Sequence, residues 1–200
     1  MLSSSPTACS SVKTSNPAGR SALAAAWQPY NKPGNWPDLD MLPLGELRPS
    51  PGWGSERKSR LTPDEQRTML TLWAINRSPL ILGANLTLLD EATLKLLTNR
   101  DLLRVDQDAG HRGKPLRALE GSALHVWSSA LGISGKVTAL FNVGDTPLAV
   151  DRLFGELELV GAGGQTATRV REVWSGQTLG KSQRLQMTIP AHGCLLLIAE

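Results

Sequence analysis

Two aspartates set two residues apart, in Trp36-Pro37-Asp38-Leu39-Asp40-Met41-Leu42, are the residues whose type and spacing best suit chemistry. In an extended segment residues i and i+2 point to one face about 6.6 Å apart. Two carboxylates at such a distance can flank one sugar bond, since retaining glycosidases hold theirs about 5–5.5 Å apart and inverting ones about 6.5–9.5 Å. The same spacing also suits purely local work, with Asp38 capping the turn and Asp40 accepting from backbone or neighbouring side chains. On spacing alone the local reading is the simpler one, because Asp-x-Asp is common in loops.

Residue types for other chemistries are scattered. His111, His125 and His192 fall in different turns or strands with no carboxylate at ligand spacing, so no metal is expected. Cys9 stands in a polar leader and Cys194 in an apolar run, which argues against a disulfide framework or a cysteine metal site. There is no glycine-rich phosphate loop, no Gly-x-Ser-x-Gly elbow and no Cys/His nucleophile pair, and no cofactor is implied. The net charge of +3, from 21 Lys and Arg against 18 Asp and Glu, is too small and dispersed for a nucleic-acid surface. No apolar run approaches the roughly 18 residues of a membrane span, so no membrane partner is expected.

The elements that must carry Asp38 and Asp40 come next. Residues 1–21, rich in Ser and Thr and poor in apolar side chains, read as a disordered leader. They hold no apolar core of a secretory signal, and localisation stays open. Residues 22–108 begin with a short apolar segment that turns at Asn31-Lys32-Pro33-Gly34. After the aspartates, the stretch Leu47 to Ser59 is a Pro/Gly/Ser-rich surface loop in which Trp53 is a candidate sugar platform. Thr62-Pro63-Asp64-Glu65 opens a helix with a capping box, and Met69, Leu72, Trp73 and Asn76 lie on one face that should pack inward. Trp73 reads as core. Leu80-Ile81-Leu82-Gly83 has the pattern of a parallel strand buried on both faces, and a helix follows at about Asp90 to Leu97. This strand and helix alternation is a βα repeat. Asn85-Leu86-Thr87 matches a glycosylation sequon, which has meaning only for an exported chain.

From residue 109 to 200 the period shortens. Segments at 122–129, 136–143, 153–160, 169–174, 185–189 and 194–198, broken by Gly and Pro turns such as Gly161 to Gly164, predict an antiparallel β-sandwich.

Read in order, Pro33-Gly34-Asn35-Trp36-Pro37-Asp38-Leu39-Asp40-Met41-Leu42, Leu72-Trp73-Ala74, Ser78-Pro79-Leu80, Leu96-Leu97-Thr98-Asn99 and Val105-Asp106-Gln107-Asp108 form a series. It closely resembles the carboxy-terminal half of the α-galactosidases of glycoside hydrolase family 27, the melibiase type. Ala139-Leu140-Phe141-Asn142, Arg171-Glu172-Val173-Trp174 and Pro190-Ala191-His192-Gly193 resemble landmarks of that family's terminal sandwich.

The resemblance implies an α/β plus all-β fold: an incomplete (β/α)8 barrel over residues 22–108, followed by a small antiparallel β-sandwich over residues 109–200. A closed eight-stranded barrel typically needs about 250 residues, more than these 200. It implies retaining hydrolysis of terminal α-galactosyl residues, with an α-galactoside or galactose as the ligand. In such enzymes both catalytic aspartates come from strands that precede the Pro-Gly-x-Trp segment, so no catalytic residue is expected in this sequence. Asp40 and Met41 match positions lining the galactose pocket, and Trp36 and Asp38 match supports of the same loop. Asp106 stands where many relatives carry Asn, and the loop from Arg48 to Ser59 is longer than in the eukaryotic enzymes, as in bacterial branches. The expectation is an α-galactosidase family member with little activity alone. The rival is a non-catalytic carbohydrate-binding module with Trp36, Trp53 or Trp127 as sugar platforms.

Overall fold

The computed structural model describes residues 17–47, 56–119, 121, 123–160, 169–179 and 183–200. The first sixteen residues of the expected leader, the platform candidate Trp53 and the turn at Gly161 to Gly164 lie outside the described residues.

Helix α1 (Pro17–Trp27) begins inside the stretch read as a leader, which corrects its boundary at residue 21. The run Ser21-Ala22-Leu23-Ala24-Ala25-Ala26 supplies the helix propensity, since alanine loses no side-chain entropy on ordering. Long-range bonds then hold it: Ser21 Oγ accepts from the Trp127 indole at 3.1 Å and lies 3.0 Å from His125 Nδ1. A 3-10 turn at Gln28–Tyr30 leads into the aspartate segment.

Two short antiparallel strands, β1 (Glu46–Leu47) and β2 (Arg57–Lys58), come before α2 (Pro63–Asn76). The capping box of α2 is present in full. Glu65 N–H donates to Thr62 Oγ1 at 3.3 Å, and Thr62 N–H donates to Glu65 Oε2 at 2.7 Å. Thr62→Ala is expected to cost about 1 kcal/mol, read as a lower urea midpoint at unchanged slope.

The amphipathic expectation for α2 falls short, because every residue from Thr68 to Asn76 is buried, on all faces. One face meets the rest of the helical block and the opposite face meets the large sheet. There Thr68 Oγ1 donates to the His192 carbonyl at 2.7 Å, and the Trp174 indole donates to Thr71 Oγ1 at 3.0 Å.

The expected parallel strand at Leu80–Gly83 reduces to one parallel bridge, Leu42 to Leu82. Ile81 is 53% exposed rather than buried on both faces, because the bridge covers one edge only. A 3-10 turn at Leu86–Leu88 follows, capped by Asn85, whose Oδ1 accepts from the Thr87 N–H and hydroxyl. Helix α3 (Glu91–Leu97), with Asp90 as its cap, matches the expectation, and α4 (Arg100–Asp106) continues from an Asn99 cap. Leu102 and Val105 of α4 are fully buried in the core cluster that contains α2.

The second half is antiparallel. β3 (Lys114–Pro115), β4 (Leu124–Leu131), β5 (Gly135–Asn142), β6 (Leu148–Leu153), β7 (Val170–Glu172), β8 (Thr178–Leu179), β9 (Arg184–Ile189) and β10 (Cys194–Ala199) form two sheets. The larger runs β3-β4-β5-β10-β7-β8, and β6 pairs with β9. Side chains alternate between its faces. Val137, Ala139 and Phe141 of β5 and Leu196 and Ile198 of β10 join the helical core, while Leu140, Leu195 and Leu197 join the core beneath β6 and β9. The larger sheet is therefore covered on both faces.

The strand expected at 153–160 is instead a turn, and the strand lies at 148–153. Phe154, Leu157 and Leu159 are apolar because they plug the inter-sheet core from that turn, where Glu158 sits at φ 54°.

Candidate functional site

The aspartate segment is gripped from three elements. Arg20 of α1 donates to the Leu39 carbonyl at 2.9 Å, and Leu39 N–H donates to Ser78 Oγ at 2.9 Å beyond the end of α2. The indole N–H of Trp73, itself fully buried in α2, donates to the Asp40 carbonyl at 2.8 Å. The Arg20 guanidinium lies over the same indole, 5.5 Å from the ring centroid. These anchors hold Asp40 at φ 81°, a backbone region that costs a non-glycine residue roughly 1–3 kcal/mol.

The strained turn decides where the carboxylates go. Asp38 Oδ1 accepts from the Asp40 N–H at 2.9 Å, and Asp40 Oδ1 accepts from the Met41 N–H at 2.7 Å. Each carboxylate is engaged in its own local turn, as in the simpler sequence reading, and the extended geometry that would aim both at one bond is absent. Met41 is 55% exposed, with its thioether seated against Gly83, where a Cβ would come within 2.9 Å of the sulfur.

The structure also divides the four expected site residues. Trp36 and Asp38 line a cleft of about 320 Å³ together with Leu23, Trp27, Tyr30 and Asn31, whereas Asp40 and Met41 lie outside its lining. Trp127 is no sugar platform: it is fully buried, and its indole N–H is spent on Ser21. Arg20, Trp73 and Ser78 are the positioning residues that sequence reasoning missed. The sequence pattern puts Arg20 in the leader and Trp73 in the core, with no sign of a role at the loop.

The three histidines stand apart, His111 on Asp108, His125 on Ser21 and His192 on Asp145. Among the described residues no helix is long and apolar enough to cross a membrane.

A second polar centre joins the two halves. Arg77, the left-handed C-cap of α2 at φ 58°, is 4% exposed. It donates to the carbonyls of Asp108 at 3.1 Å and Ile75 at 2.9 Å, and to Ser129 Oγ of β4 at 3.0 Å. Burial pulls its pKa down to about 10, against the attraction of Asp108 and Asp106. Burial also pushes the Asp108 carboxyl up, but bonds from Gly132 N–H, His111 and Gly110 N–H outweigh it and leave the group below its ordinary value.

Asp106 is the opposite case. Burial raises it to about 6 despite the Arg77 charge, and its Oδ1 has no partner among the described residues. A raised carboxyl costs stability wherever it is ionised, so the penalty is complete above pH 6 and fades as pH falls towards 4, where the folded state alone takes up the proton. Asp106→Asn is therefore expected to gain about 1 kcal/mol at pH 7, partial solvation reducing the full linkage. The gain should vanish near pH 4, as read from urea midpoints across that range.

A helical block carrying one parallel bridge, backed by two antiparallel sheets, is an α/β segment joined to a β-sandwich. The family model for α-galactosidase A matches residues 20–108, and that for the α-galactosidase C-terminal β-sandwich matches residues 121–199. The chain belongs to the α-galactosidases of glycoside hydrolase family 27.

Alpha-galactosidase 2 of Arabidopsis thaliana is 27% identical over 84% of this chain and 39% of its own length. The β-L-arabinopyranosidase of this family from Geobacillus stearothermophilus, solved with arabinose, superposes with a TM-score of 0.78 at 32% identity, covering 91% of this chain and 41% of that one. A putative α-N-acetylgalactosaminidase from Bacillus halodurans gives a TM-score of 0.78 at 29% identity, covering 94% and 44%. The chain thus spans about two-fifths of the length of such relatives.

Proposed function

We propose that these 200 residues furnish the Asp40–Met41 wall of an α-galactoside site, with Trp36 and Asp38 shaping its loop, and that they turn over no substrate by themselves. In the whole enzyme the reaction would be retaining hydrolysis of a terminal α-galactosyl residue, in which one carboxylate attacks the anomeric carbon and a second protonates the leaving oxygen. The observation that carries this reading is the positive φ of Asp40, with one oxygen of each of Asp38 and Asp40 taken by a local N–H, in place of the extended backbone that would set both carboxylates on one face. A wall of this kind still binds: an exposed carboxylate accepts from sugar hydroxyls, and the Met41 thioether offers a soft apolar surface to a sugar ring.

Assay of the purified chain on a chromogenic α-galactoside is expected to give the rate of buffer alone. Turnover that disappears in Asp40→Asn would overturn the assignment, because it would make Asp40 a reacting group.

A further inference from the structure

Gly113 and Gly135 are held tight against main chain, where a Cβ would fall 2.3 Å from the Ile75 carbonyl oxygen and 2.7 Å from that of Leu131. Gly83 is crowded by a different kind of neighbour. Its Cβ would fall 2.9 Å from the Met41 sulfur and 3.4 Å from Met41 Cγ, while the Leu42 carbonyl oxygen would stay at an ordinary 3.6 Å. Nor does the backbone itself ask for glycine there. Positive φ falls on Gly34, Gly45, Gly132 and Gly176 among the described glycines, and not on Gly83. The missing side chain makes room for the thioether of the candidate wall.

The two segments are locked in register. Leu42 is fully buried, its N–H donates to the Ile81 carbonyl at 2.7 Å, and its carbonyl accepts from Gly83 N–H at 2.9 Å, on either side of the parallel bridge to Leu82. That pairing brings Met41 beside Gly83. A methionine side chain has three rotatable bonds, and Met41 is 55% exposed, so without a seat it would spread over several rotamers.

We propose that Gly83 is a positioning residue of the sugar wall, which rests on the reading of Asp40 and Met41 as that wall: it seats the Met41 thioether so that the surface offered to a galactoside is formed before the sugar arrives. A sugar that meets a preset side chain need not order it, and ordering a side chain of this freedom costs affinity. Any Cβ at position 83 evicts the sulfur, which must retreat by roughly 1 Å to regain a normal contact. The side chain gives way rather than the backbone, because the atom struck lies near the end of a flexible chain.

The test labels the methionine methyl groups of the 200-residue chain, the Met41 resonance being the one lost in Met41→Ala. In the free protein Gly83→Ala is expected to move that resonance and leave those of Met69 and Met187 in place, with circular dichroism unchanged. Methyl α-D-galactopyranoside is then titrated by ligand-detected NMR. Gly83→Ala should weaken binding about three- to tenfold when Met41 is present, and less than about twofold in the Met41→Ala chain, where there is no thioether left to position. A Met41 resonance unmoved by Gly83→Ala, or an equal loss of affinity in both backgrounds, would overturn the assignment. If Gly83→Ala lowers the urea midpoint, adding Met41→Ala should restore it by vacating the space, and a midpoint left low would count against the seat. Binding by the unsubstituted chain that Gly83→Ala leaves intact sinks the seat and keeps the wall, whereas no saturable binding by the unsubstituted chain sinks the wall and the positioning role together.

Discussion

Trp73→Ala is expected to destabilise the protein by about 3–5 kcal/mol, the range for emptying a fully buried large aromatic site. The ring is 0% exposed in the core that unites α2, α4 and one face of the larger sheet, so the void has no route to solvent. The effect reaches the site because the indole N–H is the donor that holds the Asp40 carbonyl at 2.8 Å. Without it, the positive φ of Asp40 loses one of the constraints that offset its strain, and the Asp-Met turn should relax. Trp73→Phe separates the contributions. It keeps most of the packing, forfeits the hydrogen bond, and should cost about 1–2 kcal/mol. Urea denaturation followed by circular dichroism measures both. A loss below about 1 kcal/mol for Trp73→Ala would mean that the surrounding helices collapse freely and that the anchor has no hold on the loop.

Arg77→Ala is the second large effect, at about 3 kcal/mol or more. Removing a buried guanidinium strips the side-chain donors from the Asp108 and Ile75 carbonyls, costly to leave unpaired away from water, and from Ser129 Oγ, while the Ala74 carbonyl keeps the backbone N–H of residue 77. Arg77→Lys keeps the charge but not the planar fork that reaches several acceptors, so it should recover only part of the loss. Arg77 ties the end of α2 to β4, but the two halves also share one buried apolar core, so the unfolding midpoint should fall without the transition splitting. The acid limb should move as well. Arg77 is the charge that restrains Asp106, so that carboxyl should titrate above its present value of about 6 in the variant.

Several of these elements were legible in the order of residues. Thr62 and Glu65 announced the start of α2, and Asp90 that of α3, because capping is a contact between residues three apart. The strands of the larger sheet were found within a residue or two wherever both faces are buried, as in β5 and β10. A strand of the smaller sheet was misplaced at 153–160, where apolar residues serve a turn. The parallel strand at Leu80–Gly83 was overdrawn for a related reason. An apolar run reports the capacity to be buried, and burial needs neighbours on both sides.

The order of residues alone determined the family, the division into a barrel part and a sandwich, and the short-range caps, since these depend on local spacing and on motifs read in series. Only the tertiary structure decided that Asp38 and Asp40 turn onto neighbouring N–H groups, that Arg20, Trp73 and Ser78 clamp their backbone, and that Arg77 welds the halves. Trp73 reaches Asp40 across 33 residues and Arg77 reaches Ser129 across 52, and contacts at such separations leave no period in a sequence. They exist because burial forces each polar group of the core to find whatever partner the fold has brought beside it.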